Sequence, residues 1–224
     1  MKRFTPIVIL AVFFANQITV AMPPVDPSVL SRLVLLASKD ERKLNELDKA
    51  YLDAYTILRE ENACSAVFGG PVAIEALNEL VRTLRPAYLE RHIAVRMSGE
   101  TTLFRNAVSG FSYRMFEKAE INMTGSFYRS NTPSQHQVPL VANYQPNTRK
   151  TRVVLLLHEL GHVVRGADKK WVLPDDGNDL ELSVKNTEHI VDACRDEIEH
   201  VTRLTVAQQL EQPLTTVAQI ATQP

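Results

Sequence analysis

Val153-Val154-Leu155-Leu156-Leu157-His158-Glu159-Leu160-Gly161-His162-Val163-Val164 is the stretch on which the reading of this chain turns. It begins shortly after Asn147, a possible helix cap, and its apolar start reads as a helix buried on every side. Two histidines four positions apart lie about 40° apart around an α-helix and one turn along its axis, so both imidazoles can meet one ion. Glu159 adjoins His158 and points to the open side of the same ion, where it can take a proton from a metal-bound water. Ionisable groups on so apolar a helix cost free energy unless they have a partner, which favours a ligand role over a packing role.

The His-Glu-x-x-His segment resembles the zincin metallopeptidases, whose active-site helix carries this motif and packs against a small mixed sheet. The resemblance spans Gly125 to Cys194. It implies a zinc ion held by His158 and His162, with Glu159 as general base. It also implies an α+β, zincin-like fold, mostly helical, with a small mixed sheet packed on the motif helix. The order His158-Glu159-Leu160-Gly161-His162, Pro174-Asp175-Asp176-Gly177, Ser183 with Asn186-Thr187, then Cys194 is similar to a group of predicted secreted bacterial proteins. That likeness implies export and a disulfide and carries no activity.

A catalytic zinc takes three protein ligands and leaves one position for water, so a third ligand is needed. Asp176 is the expected one. It lies on the tight turn Leu173-Pro174-Asp175-Asp176-Gly177, where Pro and Gly constrain the backbone and can return a carboxylate over the helix after Gly166. Asp175 is its nearest rival. Asp168 sits at the offset of the metzincin third ligand, but Arg165 occupies the place of the turn glycine. Glu188, with Asp192 one helical turn on, mimics the second-helix pair of gluzincins, although Thr187 stands where those enzymes carry Asn. Ser183 and Asn186 read as caps of the following helix, and His189 as solvated or behind the ligands. Tyr128 and Tyr144 read as packing residues, although zincins often place a Tyr at the developing oxyanion. The sequence has no nucleophile elbow, phosphate-cradling loop or dinucleotide fingerprint.

At the start of the chain, Lys2 and Arg3 precede an apolar run from Ile7 to Ala15, followed by Asn16, Gln17 and the small residues Thr19 and Ala21. This is a signal-peptide layout over residues 1–21, with cleavage expected after Ala21 and a mature chain from Met22. The run is shorter than the roughly 20 apolar residues a membrane span needs, so no stable membrane insertion is expected after cleavage. Export, to the periplasm or beyond the cell, makes the only two cysteines, Cys64 and Cys194, an expected disulfide.

Farther along, Ser28 can cap a helix, and Leu44, Leu47, Tyr51, Tyr55 and Leu58 recur at helical steps. Gly69-Gly70-Pro71 breaks the chain. Ala73, Ile74, Leu77, Leu80, Val81 and Leu84 then restore the helical period until Pro86. Residues 88–145 read as a small sheet with loops, including an extended piece from Gly125 to Arg129; His92 and His136 read there as surface or core-edge residues. A single domain over 22–224 is expected, its tail from about 205 to 224 frayed.

The composition is that of a globular protein, 45% hydrophobic and 23% charged over 224 residues. Lys+Arg number 25 against 26 Asp+Glu, a net charge of −1, which leaves no basic excess for nucleic acid. Arg149, Lys150 and Arg152, the densest basic cluster, read as the solvated side of a helix. The sequence therefore points to a secreted metallopeptidase with one zinc and a peptide or protein substrate. The competing class is a non-catalytic secreted zinc-binding module with a structural or protein-interaction role.

Overall fold

The computed structural model describes residues 44–106, 110–132, 137–166 and 168–211. The expected signal peptide, the Ser28 cap and His136 lie outside them. Helix α1 (Glu46–Leu58) starts at Asn45, whose side chain accepts from the Asp48 amide. Its periodic apolar positions are buried from Tyr51 to Leu58. The short α2 (Ala63–Val67) opens on a reciprocal capping box between Asn62 and Ser65. α3 (Ala73–Thr83) follows the glycine break.

The helix expected to reach Pro86 ends at Thr83, and β1 (Leu84–Ala87) follows directly. β1 is an edge strand, a place in a sheet where proline's missing N–H is tolerated. β2 (Val95–Arg105) and β3 (Ser112–Asn122) complete a mixed sheet in the order β1-β3-β2, with β1 parallel and β2 antiparallel to the central β3. Gly125 to Arg129 is not extended as expected. The amides of Tyr128 and Arg129 both donate to the Gly125 carbonyl, closing a turn that drives Phe127 wholly into the core.

α4 (Arg149–Val163) carries the motif, and α5 (Leu180–Val201) and α6 (Val206–Glu211) end the described chain. The described residues thus form a mixed α/β structure of six helices and a three-stranded mixed sheet. α1 and α5 both pack on α4, with α3 also in contact, so α4 is buried without interruption from Thr151 to Val163. That is why its apolar run shows no amphipathic period: no side of it meets water. Its cap is Thr148, which accepts from the Thr151 amide, and not Asn147, which takes a left-handed conformation at φ 62°. Among the described residues no helix is long and apolar enough to cross a membrane.

Cys64 of α2 and Cys194 of α5 form a disulfide across a sequence separation of 130, both fully buried. It fastens α2, too short to be stable alone, to the longest helix.

The basic cluster at the start of α4 corrects the solvated-face reading. Arg149 grips both carboxylate oxygens of the wholly buried Asp53 of α1 at 2.7 and 2.6 Å. Arg152 is buried, donating to the Phe127 carbonyl at 3.0 Å and pairing with Glu46 at 2.5 Å. Only Lys150 keeps a more open position, paired with Glu199. Of the tail expected to be frayed, the first residues form α6, where Gln209, fully buried, donates to Asp53 at 2.7 Å, and residues 212–224 lie outside the described residues. A carboxylate withdrawn from water needs several donors, and the helix start and the tail supply them. Asp53→Ala should therefore destabilise the fold by about 3 kcal/mol, the lower end for breaking a buried pair, because Arg149 retains some water contact. Urea denaturation of the two proteins measures it, and coincident midpoints would refute this role for Asp53.

Candidate metal centre

The last turns of α4 hold His158, Glu159 and His162, all three buried. What reaches them next depends on the route out of the helix. Val164 is extended and forms an antiparallel bridge with Tyr113 at the start of β3. Arg165 and Trp171 pair across a small hairpin, and the chain returns with the Val172 amide on the Val164 carbonyl and the Leu173 amide on the Gly161 carbonyl. A Cβ on Gly161 would stand 2.7 Å from the Leu173 side chain, so glycine in the motif is what lets Leu173 lie flat on the helix. Pro174, Asp175 and Asp176 are thereby carried across the motif.

The result is a compact triangle. His162 Nε2 lies 3.0 Å from His158 Nε2, and Asp176 Oδ2 lies 3.2 Å from the first and 3.4 Å from the second of the residues in the order His158, His162. Ligand atoms about 2.0–2.1 Å from a tetrahedral zinc stand about 3.3 Å from one another. The three residues fit such an ion, and the His158, His162 and Asp176 group could bind a metal.

The hydrogen bonds behind the triangle agree with that use. Thr187 Oγ1 donates its one proton to the Ser183 carbonyl at 2.9 Å, so toward His158 Nδ1, 3.0 Å away, it can only accept. With the Thr187 proton on that carbonyl, the Nδ1–H tautomer of His158 donates to the hydroxyl and turns the Nε2 lone pair to the triangle. Asn186 donates to the Pro174 carbonyl at 3.1 Å and reaches Asp176 Oδ2 at 3.4 Å, fixing the turn and its carboxylate together. Neither Ser183 nor Asn186 caps α5, whose cap is Asp179, accepting from the Leu182 amide. Asn186 and Thr187 are two adjacent polar residues on the buried side of an amphipathic helix. That pattern is the signal in the sequence for a supporting role, where Asn186 by itself reads as a cap.

The other candidates lie apart from the triangle. Asp175 pairs with Arg114 and is largely exposed. Asp168 sits on an exposed turn and accepts from the Lys170 amide. Glu188 and His189 are exposed on α5, and His92 is exposed before β2. Tyr128 and Tyr144 pack against the core, as expected, and are not among the residues lining the groove described below.

Electrostatics separate the two acidic groups of the site. Burial pushes Glu159 above the ordinary carboxylate range, against the pull of both imidazoles. Burial also works to raise Asp176, but hydrogen bonds and charge from His158 and His162 outweigh it and hold this carboxyl well below its usual range. The charged form that this favours is the one in which a carboxylate can hold a metal ion.

His158, Glu159, His162 and Asp176 line a groove of about 1110 Å³. Its walls include Val95 and Met97 of the edge strand β2, Leu140, and Leu180 and Val184 of α5. The last three are large apolar side chains left open to solvent. The site is therefore a group of two imidazoles and one carboxylate that could hold a metal ion, with the buried carboxyl of Glu159 beside it, reached from a groove. No family model, curated protein or solved structure matches this chain.

Proposed function

We propose that this protein is an exported, zincin-type zinc metallopeptidase. The observation that carries the proposal is the triangle of His158 Nε2, His162 Nε2 and Asp176 Oδ2, with Glu159 beside it in the wall of an open groove. Two nitrogens and one carboxylate oxygen suit zinc, and a three-ligand set is that of catalytic sites, where structural sites usually have four. When bound, zinc supplies Lewis acidity toward a carbonyl oxygen and lowers the pKa of water. Thr187 and Asn186 orient His158 and Asp176 for that purpose. Glu159 takes the proton of the attacking water and passes it to the leaving amine. An extended peptide laid along β2 would find, among the described residues, the edge strand of the sheet, in a groove that apolar side chains of α5 also line. The disulfide suits an oxidising compartment, which supports export.

The test is zinc content of the purified mature protein, measured together with hydrolysis of an unstructured protein. One zinc per chain is expected, lost or strongly weakened in His158→Ala and in His162→Ala. Asp176→Ala should weaken it more than Glu188→Ala or Asp168→Ala. Release of the ion by Glu188→Ala alone would replace Asp176 as third ligand and return the gluzincin-like arrangement.

A further inference from the structure

Asp176 is delivered to the triangle by a loop, and something must hold that loop to ångström tolerance against the helix that carries the two histidines. Arg114, on the central strand β3, is placed to do so. Its Nε donates at 2.9 Å to the backbone carbonyl of His162, one of the carbonyls that the end of α4 leaves without a helical partner. Its Nη2 donates to the carboxylate of Asp175, the neighbour of Asp176. The guanidinium is stacked over Trp171 at 4.2 Å and lies over the Phe116 ring at 5.0 Å, leaving its side chain only 11% exposed. Trp171 belongs to the same return hairpin, and Arg165 also lies over its ring at 4.7 Å.

We propose that Arg114 is the positioning residue of the metal centre, a two-point brace that locks the Asp175-Asp176 turn to the His162 end of α4. The proposal rests on the metal reading above and adds a residue to it from outside the motif. The physical case is geometric. A planar guanidinium presents donors in a fixed fork, so gripping a backbone carbonyl and a carboxylate at once sets their separation, and contact with the Trp171 and Phe116 rings restricts the rotation that would relax it. A positive charge at a helix C-terminus is itself favourable, so the brace stabilises the helix end while aligning the ligand turn. Arg114 meets His162 at its backbone carbonyl and not at its ring, and neither Arg114 nor Asp175 contributes a ligand atom to the group. Both act through Asp176.

The experiment measures zinc affinity of the mature protein by competition with a chromogenic chelator, for the parent, Arg114→Ala, Asp175→Asn and the double variant. Thermal stability of each is followed without zinc. Each single variant should bind zinc about 10- to 100-fold more weakly, the usual scale for a group that orients a ligand. The double variant should be no weaker than the weaker single, because one brace is being removed twice. Asp175 is largely exposed, so Asp175→Asn decides the matter even where Arg114→Ala fails to fold. Zinc affinity in Asp175→Asn equal to the parent's, or fully additive losses in the double variant, would overturn the brace. A parent that takes up no zinc would overturn the metal reading itself, and the brace with it.

Discussion

Glu159→Gln should leave zinc binding and folding intact while peptide hydrolysis falls by roughly 10² to 10⁴, the usual scale for removing a positioned acid-base group. The substitution keeps the shape of the side chain and removes its capacity to carry a proton. Glu159 is buried in the groove wall and its carboxyl is held above the ordinary range chiefly by burial, so the neutral amide introduces no new desolvation penalty. Its atoms are not among those of the ligand group, so zinc content should match the parent's. Binding and chemistry would come apart. A non-catalytic module predicts a different outcome: no detectable hydrolysis in the parent, and only a stability change on substitution. The assay needs the disulfide-bonded mature form and several unfolded substrates, since a narrow specificity could hide turnover on any one of them. Equal turnover by parent and variant would refute the role given to Glu159.

Removing the Cys64–Cys194 bond should cost on the order of 4 to 5 kcal/mol if the chain-entropy account holds for so long a loop. The bond spans 130 residues, which includes α3, the sheet and α4, so the unfolded chain regains most of its freedom when it is cut. In the folded chain both sulfurs are sealed from solvent, and the cysteines should resist alkylation until the protein is unfolded and reduced. Urea denaturation of the parent and a Cys64→Ala, Cys194→Ala double variant gives the magnitude. Intact mass with and without reductant gives the bond. Coincident denaturation curves would remove the stabilising role, and two thiols alkylated without reductant would remove the disulfide.

Much of the site could be read from the chain because its geometry is local. His158 and His162 share a helix face in any α-helix, whatever surrounds it, and Glu159 follows from its place beside them. The periodic positions of α1 and α3 are local in the same way, since burial of one face leaves a repeat in the sequence. Asp176 was accessible through its Pro and Gly neighbours, but only as one of several carboxylates. Which one arrives is settled by the Val164 bridge to β3 and the seat of Leu173 on Gly161, neither of which leaves a periodic signal.

What the sequence determined by itself is the set of properties carried by spacing along one element: the motif helix, its two imidazoles and acid, and the flanking helices. What only the tertiary structure decided is the fate of isolated polar residues. Arg149 and Arg152 looked like a solvated face and are turned inward because Asp53 and Glu46 of α1 wait there. Gln209 is drawn out of an expected loose tail by the same buried carboxylate. Pro86 joined a strand because that strand is an edge, and Arg114, Asn186 and Thr187 became supports of the site because remote segments bring them acceptors and donors. A charged or polar side chain has no fixed preference for water or interior: its desolvation is costly until a partner offsets it, and that partner is supplied by parts of the chain far away in sequence.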